Sequence, residues 1–140
     1  MLCSDVMKTA IRSVSPDATV QEAAQLMRDE GVGFLPVCDS QRRVVGTITD
    51  RDIAVRVVAN GEDPEESLAQ FMSEDVVACG PADDLDHVEE LMSEEKVGRI
   101  MCIDEDGVLQ GVISLSDLAE LDRGLRTATT LREVSDREVR

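Results

Sequence analysis

The sequence predicts an α+β fold made of two β-α-β-β-α repeats, packed sheet to sheet about a pseudo-twofold axis. Three observations predict it. Sliding the chain against itself by 65 residues aligns Val6 to Ala54 with Phe71 to Ala119 without a gap. Within each copy, short apolar runs of strand composition alternate with stretches of helical periodicity. The stretch Gly46–Asp52, Gly-Thr-Ile-Thr-Asp-Arg-Asp, returns at the same offset as Gly111–Asp117, Gly-Val-Ile-Ser-Leu-Ser-Asp.

Identical pairs mark the duplication at positions where turns, caps and cores are expected: Met7 with Met72, Pro16 with Pro81, Val32-Gly33 with Val97-Gly98, Asp39 with Asp104, Asp52 with Asp117. The reading assigns residues 1–60 to the first repeat, 61–67 to an acidic, turn-rich linker, 68–121 to the second repeat and 122–140 to a C-terminal tail. One unit of roughly 50 residues buries too little of its surface to cover a sheet alone, so the two are expected to pack together.

Each repeat has the same punctuation. A first strand, Ile11 to Val14 or Val76 to Cys79, stops at Ser15-Pro16 or Gly80-Pro81, where proline cannot continue a ladder. A helix follows, with Thr19 and Glu22 as a capping box in the first copy and Asp84 as the N-cap in the second. Its apolar stripe is Val20, Ala23, Ala24 and Met27, echoed as Leu85, Val88, Leu91 and Met92, with the methionines read as core filler. Gly31 suits the helix C-terminus. Strands are expected at Val32 to Cys38 and Val97 to Ile103, then, after a polar turn, at Val44 to Ile48 and Val108 to Ile113. Second helices are expected from about Asp50 to Ala59 and from about Leu115 to Leu121. In the tail a brief apolar signal stands at Leu131 and Val134.

Composition narrows the function. The formal charge of −16 opposes nucleic acid and anionic membrane partners, and two phenylalanines, Phe34 and Phe71, give no stacking platform for single strands. Acids and bases nearly balance through residue 60, 8 against 7, whereas residues 61–121 hold 18 acids against 2 bases, an asymmetry that invites self-association. No apolar run reaches membrane-spanning length and the N-terminus lacks a signal-peptide core, so a cytoplasmic protein is expected. Cys3, Cys38, Cys79 and Cys102 stand far apart and form no C-x-x-C pair, so scattered buried thiols are expected and no metal site. His87, beside Glu89 and Glu90, reads as a solvated helix position with no nucleophile to serve. There is no G-x-x-x-x-G-K loop, and an enzyme is not expected.

The repeated motif has two physical meanings. Thr49 or Ser114 at an N-cap can accept from first-turn backbone N–H groups while Asp52 or Asp117 at N3 reaches back. The same group of N–H donors, hydroxyl and carboxylate can also receive the ribose and phosphate of a nucleotide.

The Met7 and Met72 lead-ins, the Val32-Gly33 and Val97-Gly98 pairs, and Gly-x-x-Thr/Ser-x-x-Asp at 46–52 and 111–117 together resemble a tandem pair of CBS domains, the Bateman module, over about residues 3–121. Leu35-Pro36-Val37 and Thr49-Asp50-Arg51-Asp52 are also similar to the small stand-alone bacterial members and to the CBS insert of IMP dehydrogenases. The resemblance implies a regulatory sensor for adenosine-containing ligands such as AMP, ADP, ATP, NAD or S-adenosylmethionine, acting as a homodimer on an unknown effector protein and requiring no cofactor. It implies clefts that take the hydroxyl and aspartate from one repeat and the adenine-contacting strands from the other. One would combine Thr49, Arg51 and Asp52 with Val76, Val77, Gly98 and Arg99; the other would combine Ser114, Ser116 and Asp117 with Ile11, Arg12, Val32, Gly33 and Phe34. Arg99 stands where phosphate-binding members often carry a base, and Phe34, its echo, cannot neutralise phosphate. The competing expectation is a structural or redox-responsive dimerisation protein that binds no nucleotide, with Cys38 and Cys79 as its supporting features.

Overall fold

The structure, a computed structural model, describes residues 1–121 and 132–134. The expectations for the rest of the tail, Leu131 among them, lie outside the described residues. The chain forms two compact units, Met1–Ile11 with the chain from Val77 onward, and Arg12–Val76. Spatial units and sequence repeats are therefore cut differently. The lead-in of each repeat, Met7-Lys8 or Met72-Ser73, belongs to the unit that carries the other repeat's strands and helices.

In the unit Arg12–Val76, helix α2 (Val20–Glu30) precedes strands β1 (Phe34–Cys38) and β2 (Val44–Thr49). Strands β1 and β2 pair antiparallel with a bulge between Val37 and Cys38. Thr19 caps α2 by accepting from the Glu22 N–H at 3.0 Å, and Gly31 ends it in the left-handed region at φ 67°. Three residues of the expected stripe, Val20, Ala23 and Met27, pack against Leu35, Val37, Ile48, Val57, Leu68 and Phe71, and Ala24 is only partly buried. Burial of a side chain the size of Leu35 or Ile48 contributes about 1.5–3 kcal/mol. The expected first strand is reduced here to a parallel bridge from Val14 to Val37. The linker also closes onto α2: the N–H groups of Val20 and Gln21 donate to Glu66 and Pro64 carbonyls at 3.1 and 2.9 Å.

The other unit opens with a short helix, α1 (Cys3–Val6), and returns with β3 (Ala78–Cys79), α4 (Leu85–Glu95), β4 (Arg99–Ile103), β5 (Leu109–Ser114) and α5 (Leu115–Ala119). Its sheet order is β3-β4-β5, β3 and β4 parallel, β4 and β5 antiparallel. Asp84 caps α4, accepting from the Asp86 N–H at 2.8 Å. Val134, in a helical stretch at residues 132–134, is buried in this core with Leu85, Ile100, Ile113 and Leu118.

Two further details differ from the sequence reading. The stripe of α4 is Leu85, Val88, Glu89 and Met92, so Glu89 is buried and does not lie outward beside the exposed His87 and Glu90. Helical period decides the position, since Glu89 is the echo of Ala24, and Leu91 is left half-buried. The helix after β2 is one α-turn, α3 (Asp50–Asp52), that widens into a π-helix over Ile53–Val58, with the Ala59 N–H donating to Ala54 O at 2.9 Å.

The identical aspartates and glycines now acquire causes. Asp39 Oδ1 accepts from the N–H groups of Gln41 and Arg43, each at 2.9 Å, and Asp104 Oδ1 does the same for Asp106 and Val108. A Cβ on Gly46 would lie 2.7 Å from the Ser73 carbonyl oxygen and 2.8 Å from Met72 Sδ. On Gly111 it would lie 2.7 Å from Met7 Cγ and 2.9 Å from the Lys8 carbonyl oxygen. At these points the lead-ins cross the outer strands: Ser73 and Thr47 exchange two backbone hydrogen bonds at 2.9 Å, and Lys8 and Val112 exchange two at 3.0 Å. Gly46→Ala and Gly111→Ala should each lower stability in urea unfolding by about 1–3 kcal/mol. Gly80→Ala, whose Cβ would meet nothing closer than 3.7 Å, should stay near wild type. Equal tolerance of all three substitutions would remove the close approach as the reason for the two glycines.

Candidate functional site

Both motifs are built as capped helix starts, each inside one unit. At the end of β2, the Thr49 N–H donates to Asp52 Oδ2 at 2.9 Å and the Asp52 N–H returns a bond to Thr49 Oγ1 at 3.1 Å. At the end of β5, the Ser114 N–H donates to Asp117 Oδ2 at 3.0 Å and the Asp117 N–H donates to Ser114 Oγ at 3.1 Å. The first helical N–H of each motif is taken by the preceding glycine: Asp50 N–H donates to Gly33 O and Leu115 N–H to Gly98 O, both at 3.0 Å. Strand register then sets Phe34 opposite Thr49, and Arg99 opposite Ser114.

The other sequence-derived residues fall into the units as follows. Arg51, Arg12 and Val32 are exposed on the unit Arg12–Val76, where Gly33, Phe34 and Val76 are partly buried. Arg12 is engaged by Glu30, Nη1 to Oε1 at 3.2 Å. Ile11, Val77 and Gly98 are partly buried in the other unit, which also carries the exposed Ser116 and Arg99.

The two carboxylates differ in their second oxygen. Asp117, 7% exposed, receives Lys8 Nζ on Oδ1 at 3.0 Å. Asp52 has Arg56 Nε at 3.8 Å from Oδ1, a long contact between i and i+4 positions on a surface helix. Burial pushes the Asp117 carboxyl up, but Lys8 and the backbone N–H and hydroxyl of Ser114 outweigh it and hold the group below its ordinary value. Lys8 is held above its own, first through its bond to Asp117. Neither cation was singled out from the sequence. Arg56 could have been found by its spacing from Asp52, whereas Lys8 has Ser73 as its echo and no local spacing to mark it.

A second group of chemistry-bearing side chains converges without any spacing in the sequence to announce it. Cys3, Cys79 and Cys102 are buried with Sγ to Sγ separations of 3.5 Å from Cys79 to each of the others. The expectation of scattered thiols holds for Cys38, in the other unit, and fails for these three. Burial pushes the Cys3 thiol up to about 11. Cys79, sharing a hydrogen bond with Cys102 and buried with it, is pushed up as well.

Because the folded Asp117 titrates below its unfolded value of ~4, its contribution is present above that value and is lost as pH falls through the lower folded one. Lys8, titrating higher when folded, keeps its contribution through neutral pH and loses it only on alkaline titration. Lys8→Met should therefore lower the urea midpoint at neutral pH, and the gap from wild type should close as the solution is acidified below the carboxylate range. A gap independent of pH would show that Lys8 acts through packing.

The comparisons with known proteins agree with this architecture. The CBS domain profile matches residues 3–59 and again 68–124. The CBS domain-containing protein YhcV of Bacillus subtilis is 37% identical over 115 residues, covering 82% of this chain and 81% of that protein. Hypoxic response protein 1 of Mycobacterium tuberculosis is 31% identical over 116 residues, covering 82% of this chain and 80% of that protein. A crystal structure of Hypoxic Response Protein I, with two coordinated zinc ions, superposes with a TM-score of 0.76 at 29% identity, over 86% of this chain and 98% of that one. The CBS domain pair of protein MJ0100, solved with 5′-methylthioadenosine and S-adenosyl-L-methionine, shares the fold at a TM-score of 0.78 and 22% identity, over 87% of this chain and 95% of that one. With both of its repeats matched, the chain belongs to the CBS domain family as a tandem pair.

Proposed function

We propose that this chain is a non-catalytic regulatory module that binds an adenosine-containing nucleotide, with Asp52 as the principal acceptor for the ribose hydroxyls. The observation that carries the reading is the state of the Asp52 carboxylate. One oxygen holds the helix cap, while the other, among the described residues, has only the 3.8 Å contact to Arg56, so a pair of ribose hydroxyls can donate to it at little cost. At Asp117 the corresponding oxygen already accepts from Lys8 at 3.0 Å, and a ribose has to displace that bond. The Thr49 hydroxyl beside Asp52 suits a ribose or phosphate oxygen. Support also comes from the MJ0100 pair, whose two ligands are both adenosyl compounds.

Candidate ligands are AMP, ADP and ATP, with NAD and S-adenosylmethionine as further members of the class. With so few aromatic side chains, the adenine has to rest on aliphatic walls and backbone hydrogen bonds. Regulation follows if the ligand has unequal affinity for two states of the protein, which the reading takes to be a homodimer acting on an effector protein in the cytoplasm. Among the described residues no helix is long and apolar enough to cross a membrane.

Isothermal calorimetry with AMP, ATP and NAD tests the reading. Asp52→Asn, whose amide oxygen can still accept the cap bond, should weaken the best ligand roughly 10- to 100-fold, the loss of one charge-assisted acceptor. Asp117→Asn should do less than Asp52→Asn. Unchanged affinity in Asp52→Asn refutes its assignment, and no heat with any adenosyl ligand favours a dimerisation protein whose motifs serve as caps alone.

A further inference from the structure

We propose that Cys3, Cys79 and Cys102 form a binding site for one trivalent thiophilic ion of the arsenite class, held by three thiolates. The fold builds the site from three separate stretches. Cys79 and Cys102 are register partners on the parallel strands β3 and β4, so their side chains leave the sheet on the same face. Cys3 is lowered onto that face by α1, whose start is fixed by three backbone bonds. Cys3 N–H donates to Asp83 O and Ser4 N–H to Pro81 O, each at 2.9 Å, and Leu85 N–H donates to Met1 O at 3.0 Å. All three sulfurs lie within 4.8 Å of one another, two of the separations being 3.5 Å. Sulfurs that share one ion at bond lengths of ~2.3 Å stand roughly 3.5–4 Å apart, so the cradle closes on an ion with sub-ångström adjustment.

Charge and coordination number select the ion. The three thiols are at most 7% exposed, in a core made with Leu85, Ile100, Ile113 and Leu118. Among the described residues no histidine or carboxylate joins the group as a fourth ligand. Structural zinc takes four ligands, and with three thiolates it leaves a net negative charge in an apolar interior, while a monovalent copper ion leaves a larger one. The carboxylate of nearby Asp83 adds to the cost of any such charge. A trivalent ion bound by three thiolates is neutral and needs no fourth ligand. The step balances without an oxidant or reductant: arsenious acid exchanges its three As–O bonds for three As–S bonds, and each thiol proton leaves with a hydroxide as water.

Native mass spectrometry of the full chain with sodium arsenite reads the result directly. The expected product is one adduct per chain whose mass increase equals one arsenic less three hydrogens. It should persist in Cys38→Ala and disappear in Cys3→Ala and Cys102→Ala. Arsenite should also raise the thermal midpoint of wild type and Cys38→Ala, and excess zinc should not displace it. The hydrogen count needs only the wild-type protein, so a variant that folds poorly leaves the test intact. No adduct, an adduct that has lost fewer than three hydrogens, an adduct unchanged in Cys3→Ala, or displacement by zinc would each overturn the assignment.

Discussion

The crossing of each lead-in over a motif glycine is the contact on which the rest of the structure depends. Met72-Ser73 passes over Gly46 and Met7-Lys8 passes over Gly111, each close enough that a single methyl group would meet a backbone oxygen within 2.9 Å. The crossing is also a two-bond bridge on the outer edge of the sheet, so it satisfies backbone groups that would otherwise form an open edge. Since each lead-in belongs to the opposite repeat, the crossing makes neither repeat complete without a segment of the other. It also explains why the glycine sits three residues before the capping hydroxyl. The strand that must be approached closely runs straight into the helix start.

The same crossing makes the two motifs chemically unequal. It brings Lys8 to the Asp117 carboxylate, whereas Ser73, the residue in the equivalent place, brings no cation toward Asp52. Two capping boxes of nearly identical geometry therefore differ in whether the second carboxylate oxygen is already committed. A duplicated fold with one committed and one open acceptor suits a module in which one site responds to a ligand and the other is mainly structural, and the proposed function rests on that difference.

Local chemistry made most of the fold legible. Caps at Thr19 and Asp84, the left-handed end at Gly31 and the turn aspartates Asp39 and Asp104 all act within a few residues of themselves, and their spacing names them. What was not legible depends on contacts remote in sequence or on position overriding side-chain type. Gly46 and Gly111 were visible as repeats, but the reason for glycine lies in a segment that belongs by sequence to the other repeat. Cys3 and Cys79 are 76 residues apart, and Cys79 and Cys102 are 23 apart, so no ligand spacing announced their meeting. Glu89 was misplaced because its charge suggested water while the helical period placed it inward. Widening of the helix after Asp52 into a π-turn has no local marker that we can identify in Ile53–Val58.

The central claim is that the hydroxyl and carboxylate that cap a helix at Thr49 and Asp52 also form the receptor for a nucleotide ribose. A crystal structure of the full chain grown with AMP tests it most directly. The account predicts ribose hydroxyls within hydrogen-bond distance of the Asp52 carboxylate, with the Thr49 cap intact and the Lys8 to Asp117 pair undisturbed. Nucleotide bound at Asp117 with Lys8 displaced and Asp52 untouched, or bound away from both motifs, would contradict it.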